Sequence, residues 1–382
     1  MKRSTVPTKT VASAGQAQAQ LDALFSKFDK PNPVRLLTTG GTLEFVWDWA
    51  KDGLAMEKES VLPGYISGLQ AHVPFNHTPI CLKDSRELRQ KDRRRIVEAV
   101  MDSPETNVLI SHGCFTAPDT AEYLLDSLPA GHGKTVVIFG SKAPMKEFVL
   151  SDGPFNLGFA TASSLALESG VYVAMDGRLF DARDVQVDAA KRFSERDDTA
   201  TAQSRLERIF SQLNQPETVH LLRMGGTIES KWEPTKDTAV IDPSPLLQSY
   251  LERIRLQLQF AFTVVSLKDS REITYRDRKQ LVAQVTESPH RAIIIPHGTY
   301  TMPDTAQFLN ESLEAGHGKT IVLFGSMIPL NGFLPSDAPF NLGYAVATAL
   351  VSKEGVYLAM NARLFHAEDV EKNRGKGRFE EA

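Results

Sequence analysis

A chain of 382 residues, 42% hydrophobic and 24% charged, has the composition of an ordinary globular protein and the length for two or three domains. A formal net charge of −4 and a pI near 6.2 exclude a global attraction to nucleic acid or to an anionic membrane, and no apolar run approaches the roughly 20 residues that span a bilayer. Two cysteines, Cys81 and Cys114, exclude a disulfide framework and fit a reducing compartment. No apolar run follows Lys2 and Arg3 as a secretory signal requires, so a cytoplasmic location is expected.

An internal repeat organises the chain. Gly40-Gly41-Thr42 recurs as Gly225-Gly226-Thr227, Lys83-Asp84-Ser85-Arg86-Glu87 as Lys268 to Glu272, His112-Gly113 as His297-Gly298, and Pro154-Phe155-Asn156-Leu157-Gly158 as Pro339 to Gly343. Every pair is separated by 185 residues, and residues 17–187 share 76 identities over 171 positions with residues 202–372. Such a period is a duplicated domain, far longer than a solenoid module. The expected units are 17–187 and 202–382, with 1–16 as a tail and 188–201 as a linker.

In chain order, each unit opens on an amphipathic helix: Leu21, Leu24, Phe25 and Phe28 have i, i+3, i+4, i+7 spacing, and Leu206, Ile209, Phe210 and Leu213 repeat it. In the second unit, Val219 to Leu222 reads as a buried strand running into Gly225-Gly226. A helix follows over Arg276–Val285, then a strand over Ala292–Ile295 ended by Pro296-His297-Gly298. Next come a helix over Asp304–Leu313 with Pro303 before it, a strand over Thr320–Phe324, a helix over Phe340–Val351 and a strand over Val356–Met360. Short strands alternating with helices predict an α/β fold in each unit, a doubly wound parallel sheet of Rossmann-like or flavodoxin-like type. Ligands bind such sheets outside the carboxyl ends of the strands, at the switch point, and the repeated motifs lie there.

Each motif has a chemical reading and a plain one. Gly225-Gly226-Thr227 offers backbone amides for an oxyanion and a threonine hydroxyl as nucleophile, yet alone it is also an ordinary turn. Thr299 is a second strand-end threonine that could face the first; it could equally cap the next helix, and His297 reads first as a structural hydrogen-bonding residue. Asp269 and Ser270 suit a substrate's ammonium and carboxylate, or cap the helix near Tyr275. Lys372 alone reads as a solvated surface lysine. The histidines and cysteines lack metal-ligand spacing, so neither metal nor cofactor is expected. Gly131-His132-Gly133-Lys134-Thr135 lacks phosphate-loop spacing and precedes a strand rather than a helix.

Taken together, these motifs resemble the bacterial-type L-asparaginase family over nearly the whole of each unit. Gly225-Gly226-Thr227-Ile228 is similar to its first signature, Pro296 to Met302 to its second, and Ser336 to Leu342 to the segment that follows. The resemblance implies hydrolysis of a side-chain or small primary amide through a threonine-bound acyl intermediate, with release of ammonia and without cofactor or metal. It implies Thr227 as nucleophile, Thr299 as second catalytic threonine and Lys372 as that threonine's partner. Ser270, Gly226, Gly298 and the residue at Tyr300 then line the substrate. Three departures stand out. Tyr300 occupies the place of an aspartate that holds the substrate's α-ammonium. Trp232 stands where the family has an activating tyrosine. The usual C-terminal domain has no counterpart. In the first unit Thr42 and Ser85 persist, Cys114 and Phe115 replace Thr299 and Tyr300, and Val187 replaces Lys372, so a degenerate, mainly structural site is expected.

The expected function is therefore an asparaginase-like amidohydrolase with the better site in the second unit, the two units packed as an internal pseudo-dimer. A catalytically silent binding or scaffold protein and an amidase for substrates without a free α-ammonium are the alternatives. The expected partner is a small-molecule amide, with no nucleic acid and no membrane; further homo-oligomerisation is left open.

Overall fold

The computed structural model describes residues 32–146, 151–196, 218–331 and 335–382. The expected opening helices, the tail and residues 197–201 of the expected linker lie outside the described residues.

The first unit runs β1 (Val34–Gly40), a hairpin of β2 (Phe45–Asp48) and β3 (Gly53–Met56), α1 (Leu62–Gly68), β4 (Phe75–Lys83), α2 (Gln90–Asp102) and β5 (Asn107–Ser111). It continues through α3 (Ala117–Ser127), β6 (Thr135–Phe139), α4 (Gly153–Ala166), β7 (Gly170–Met175), β8 (Arg178–Asp181), β9 (Val185–Val187) and β10 (Phe193–Glu195). The second unit repeats this order: β11 (Thr218–Gly225), β12 (Ser230–Glu233), β13 (Thr238–Ile241), α5 (Leu246–Ile254), β14 (Gln259–Lys268), α6 (Tyr275–Glu287) and β15 (Ala292–Pro296). Then follow α7 (Met302–Ser312), β16 (Thr320–Phe324), α8 (Ala338–Val351), β17 (Gly355–Met360), β18 (Arg363–His366), β19 (Val370–Asn373) and β20 (Arg378–Glu381).

Each unit carries a six-stranded sheet, β4-β1-β5-β6-β7-β8 and β14-β11-β15-β16-β17-β18, parallel except for the last strand. The strands β5, β6, β15 and β16 are buried along their whole length, which suits apolar runs such as Val136 to Phe139 in a sheet covered on both faces. The chain leaves β1 toward one edge and crosses back to β5 on the other side, so the switch point lies between β1 and β5, and between β11 and β15. The expected doubly wound fold is therefore present twice. The helix expected from Asp304 starts two residues earlier, at Met302, because proline sits inside the first turn of α7, where its missing N–H costs nothing.

Residues 188–195 do not behave as linker. Strand β10 pairs antiparallel with β9, and Phe193 is buried in the same apolar cluster as Val185 and Phe180. A fully buried phenylalanine contributes roughly 1.5–3 kcal/mol, enough to hold so short a return strand.

The two units meet through reciprocal contacts. Helices α4 and α8 pack face to face: a Cβ on Gly158 would lie 2.1 Å from the Phe340 carbonyl oxygen, and one on Gly343 would lie 2.1 Å from that of Phe155. Tyr65 donates its hydroxyl to the Ser336 carbonyl at 3.0 Å, and Tyr250 donates to Ser151 at 2.9 Å. The His72 amide donates to the Asn361 carbonyl and the Gln257 amide to that of Asp176. Each pair exchanges equivalent positions of the repeat, which is the signature of an isologous two-fold contact made within one chain. One apolar cluster runs through both units across this face.

Candidate active site

Three strand ends converge in the second unit. Gly225 and Gly226 close β11 at φ of 92° and 85°, a region that side chains rarely enter. Gly226 lies against the β15 end so closely that a Cβ there would stand 2.3 Å from the Gly298 nitrogen. A Cβ on Gly298 would in turn stand 2.6 Å from Ser270 Oγ. These absent side chains let the ends of β11, β14 and β15 touch, which brings Thr227, Ser270 and Thr299 to one crevice. The Gly226 amide donates to the Lys268 carbonyl at 3.1 Å, and Lys268 is anchored by both oxygens of Asp277 at 2.8 Å. Thr227, half-buried, opens a 3₁₀ turn whose Glu229 is buried and paired with Arg223 at 2.5 Å.

Thr299 is buried and its hydroxyl accepts a 2.5 Å hydrogen bond from Lys372 Nζ. Lys372 belongs to β19, opposite Phe379 of β20, rather than to a solvated turn. Burial, with help from the nearby Arg374 guanidinium, lowers its pKa below that of a free lysine. Its ammonium also lies 4.4 Å from the centre of the Tyr300 ring, while Arg271 and Arg374 stand 5.1 and 5.9 Å from the same ring. Tyr300 is 45% exposed and forms the rim of the crevice, its amide donating to Ser270 Oγ at 3.2 Å.

Other candidates are occupied locally. Asp269 accepts from the Arg271 amide and from its guanidinium at 2.9 and 2.8 Å, so it caps the turn rather than facing the crevice. Thr274, by its capping box with Asp277, starts α6. His297 is fully buried and points Nδ1 at the Gly298 carbonyl; burial pushes its pKa down to about 4, a neutral structural ring. Trp232 lies on the exposed hairpin strand β12 and has no hydroxyl to offer.

The first unit keeps the frame and changes the wiring. Gly41 again packs on Gly113, and Ser85 is again buried beside it, with no hydrogen-bond partner for its Oγ. Cys114 is buried, donates its thiol to the Ser141 carbonyl at 3.3 Å and has its pKa pushed up to about 12 by desolvation, so it is no thiolate. Val187 packs against the core. A cation is nevertheless present: Lys191, at φ 57° in the β9–β10 turn, donates to Thr42 Oγ1 at 3.2 Å and lies 5.3 Å from the Phe115 ring. Arg86 flanks the same ring at 5.1 Å.

Sequence reasoning overlooked Lys191, Arg374 and the buried glutamates Glu44 and Glu229. The glutamates carried a signal, since each follows its threonine by two residues. Glu44 accepts from Ser60 Oγ and the Val61 amide at 2.6 and 2.7 Å, tying the threonine turn to α1.

The sequence family described as "Asparaginase, N-terminal" matches residues 33–204 and again 218–379. A glutaminase-asparaginase of Acinetobacter glutaminasificans is 40% identical over 110 residues, covering 27% of this chain and 32% of that protein. L-asparaginase 2 of Escherichia coli (strain K12) is 38% identical over 82 residues, 21% of this chain and 23% of its own length. The matched stretch thus spans about a third or less of these curated relatives. Among solved structures, L-asparaginase I of Vibrio cholerae is similar at 27% identity and a TM-score of 0.39, covering 43% of this chain and 51% of that one. The L-asparaginase of Thermococcus kodakarensis is similar at 15% identity and a TM-score of 0.37, covering 86% and 90%. With the family pattern matched twice over most of its length, the chain belongs to the asparaginase family, as a tandem of two asparaginase N-terminal domains.

Proposed function

We propose that the second unit is an amidohydrolase site acting through a threonine acyl-enzyme. The observation that carries this reading is the Lys372 amine on the Thr299 hydroxyl, held on strand β19 just past the end of β15. Burial and then the Arg374 guanidinium lower the pKa of this half-buried lysine, which suits a group that gives and takes a proton.

In this reading Thr227 Oγ1 attacks the carbonyl carbon of a primary amide and loses its proton to a relay ending on Thr299 and neutral Lys372. The tetrahedral intermediate collapses by breaking the C–N bond, and the relay returns the proton so that the nitrogen leaves as ammonia. Water then attacks the Thr227 ester, gives a proton back through the same groups and releases the carboxylic acid. Ser270 and the amides around Gly298 hold the rest of the substrate. The first unit lacks both the second threonine and its lysine, and serves mainly as the structural half. A cytoplasmic setting belongs to the same proposal, in keeping with the free thiols Cys81 and Cys114. Among the described residues no helix is long and apolar enough to cross a membrane.

The test is ammonia release from L-asparagine, L-glutamine, their N-acylated forms and simple primary amides, by the full chain and by Thr227→Ala. Release that Thr227→Ala removes supports the site; release unaffected by it, or none from any amide, refutes it.

A further inference from the structure

Both crevices share a feature that the catalytic reading does not use. The residue after the second catalytic position is aromatic in each unit, and in each it stands among cations. Arg86 and Lys191 flank Phe115, and Arg271, Lys372 and Arg374 surround Tyr300. The arginine after Ser85 and Ser270 is paired with its own aspartate, Asp84 or Asp269. Among the described residues, Lys372, Arg374 and Lys191 form no salt bridge with a carboxylate. Beyond the equivalent Arg86 and Arg271, the cations come from equivalent hairpins at different positions, Lys372 and Arg374 from β19–β20 and its turn, Lys191 from the β9–β10 turn. The same electrostatic surroundings are thus reached by different residues.

We infer that this collar selects the substrate class: the second-unit site takes amides that carry a carboxylate and no ammonium, such as the monoamide of a short dicarboxylic acid. The location rests on the amide-site reading above, but recognition can be measured apart from turnover. An ammonium brought to the rim meets three positive groups and one already paired carboxylate, without a free acceptor of opposite charge. A carboxylate meets the Arg374 guanidinium on the exposed hairpin turn, which can donate charge-assisted hydrogen bonds. The exposed phenol of Tyr300 adds a neutral donor at the same rim.

The experiment is calorimetric titration of the full chain carrying Thr227→Ala with three probes: succinamate, L-asparagine and butyramide. Butyramide lacks the carboxylate of succinamate, and asparagine adds an ammonium to it. Succinamate is expected to bind about tenfold or more tightly than either. Adding Arg374→Gln should remove most of that advantage over butyramide and narrow the gap to asparagine. Asparagine or butyramide binding as tightly as succinamate, no binding of succinamate, or an equal effect of Arg374→Gln on all three probes would overturn the inference. Succinamate binding with the expected order in a protein that releases no ammonia would leave this inference standing and sink the catalytic proposal instead.

Discussion

Lys191 donates to the hydroxyl of Thr42 across 3.2 Å, whereas Lys372 of the second unit's hairpin donates to Thr299. In the proposed mechanism the second unit's cation backs a relay, and the first threonine keeps its lone pairs for attack. In the first unit the cation sits on the would-be nucleophile itself, and the neighbouring group is the inert thiol of Cys114. We expect Thr227→Ala to lower ammonia release by about three orders of magnitude or more. Thr42→Ala and Lys191→Met should each change it by less than about twofold. Steady-state kinetics on the four proteins decide this, and equal losses at Thr42 and Thr227 would show the units to be equivalent.

A pH profile tests the relay. Lys372 must be neutral to accept a proton, so kcat/KM should rise with pH through its pKa. Burial and then Arg374 place that pKa below the ordinary lysine value. Arg374→Met removes a positive neighbour, which makes the ammonium easier to keep, and the rise should move to higher pH. Lys372→Met should remove the rise along with most of the rate. An unmoved profile in Arg374→Met would mean that the titrating group is not Lys372.

Position 300 offers a test of how charges share a site. A carboxylate introduced by Tyr300→Asp would stand among Arg271, Lys372 and Arg374 and would be neutralised by them before it met a substrate ammonium. The single variant should therefore raise kcat/KM for L-asparagine by less than the roughly ten- to hundredfold that a free charge-assisted bond supplies. Tyr300→Asp with Arg374→Gln should gain more than the single change. If the double variant gains no more than Tyr300→Asp alone, the surrounding cations do not govern recognition.

The contact between the units should contribute to stability. Gly158→Ala places a methyl 2.1 Å from the Phe340 carbonyl oxygen, and Gly343→Ala does the same toward Phe155. Backbone cannot retreat from a packed helix pair, so each should cost about 1–3 kcal/mol. Tyr65→Phe and Tyr250→Phe leave a carbonyl without its donor and should each cost about 1 kcal/mol. Urea denaturation followed by circular dichroism measures all four. A loss confined to one member of either pair would deny the two-fold equivalence.

Much of this was legible because the repeat doubled every signal. Apolar runs gave strands such as Thr320–Phe324 without error, and the strand-end rule placed Thr227 and Thr299 just past β11 and β15, where they stand. The hairpins went unseen. Lys372 resembled a solvated turn residue because its burial depends on Phe379, seven positions on, and on Tyr300, far away in sequence. Lys191 was missed for a different reason. The fixed spacing of 185 equates Phe193 with Arg378, yet its structural equivalent is Phe379, because the second hairpin is one residue longer. The extra residue lies in the turn, so Val187 remains the counterpart of Lys372, each opposite a hairpin phenylalanine, and the first unit's cation comes instead from the turn four positions later, where it meets Thr42.

The reciprocal bonds from Tyr65 and Tyr250 have a consequence for how the two halves can differ. Identical subunits that associate freely would carry any alteration on both sides of their shared axis. Covalent fusion guarantees that each molecule holds one copy of each version, at fixed stoichiometry and regardless of dilution. A half that could not survive alone is sheltered by its companion, and can trade chemistry for support without lowering the yield of assembled protein. Thr299 on one side and Cys114 on the other are a divergence that the single chain holds at one to one without any assembly step.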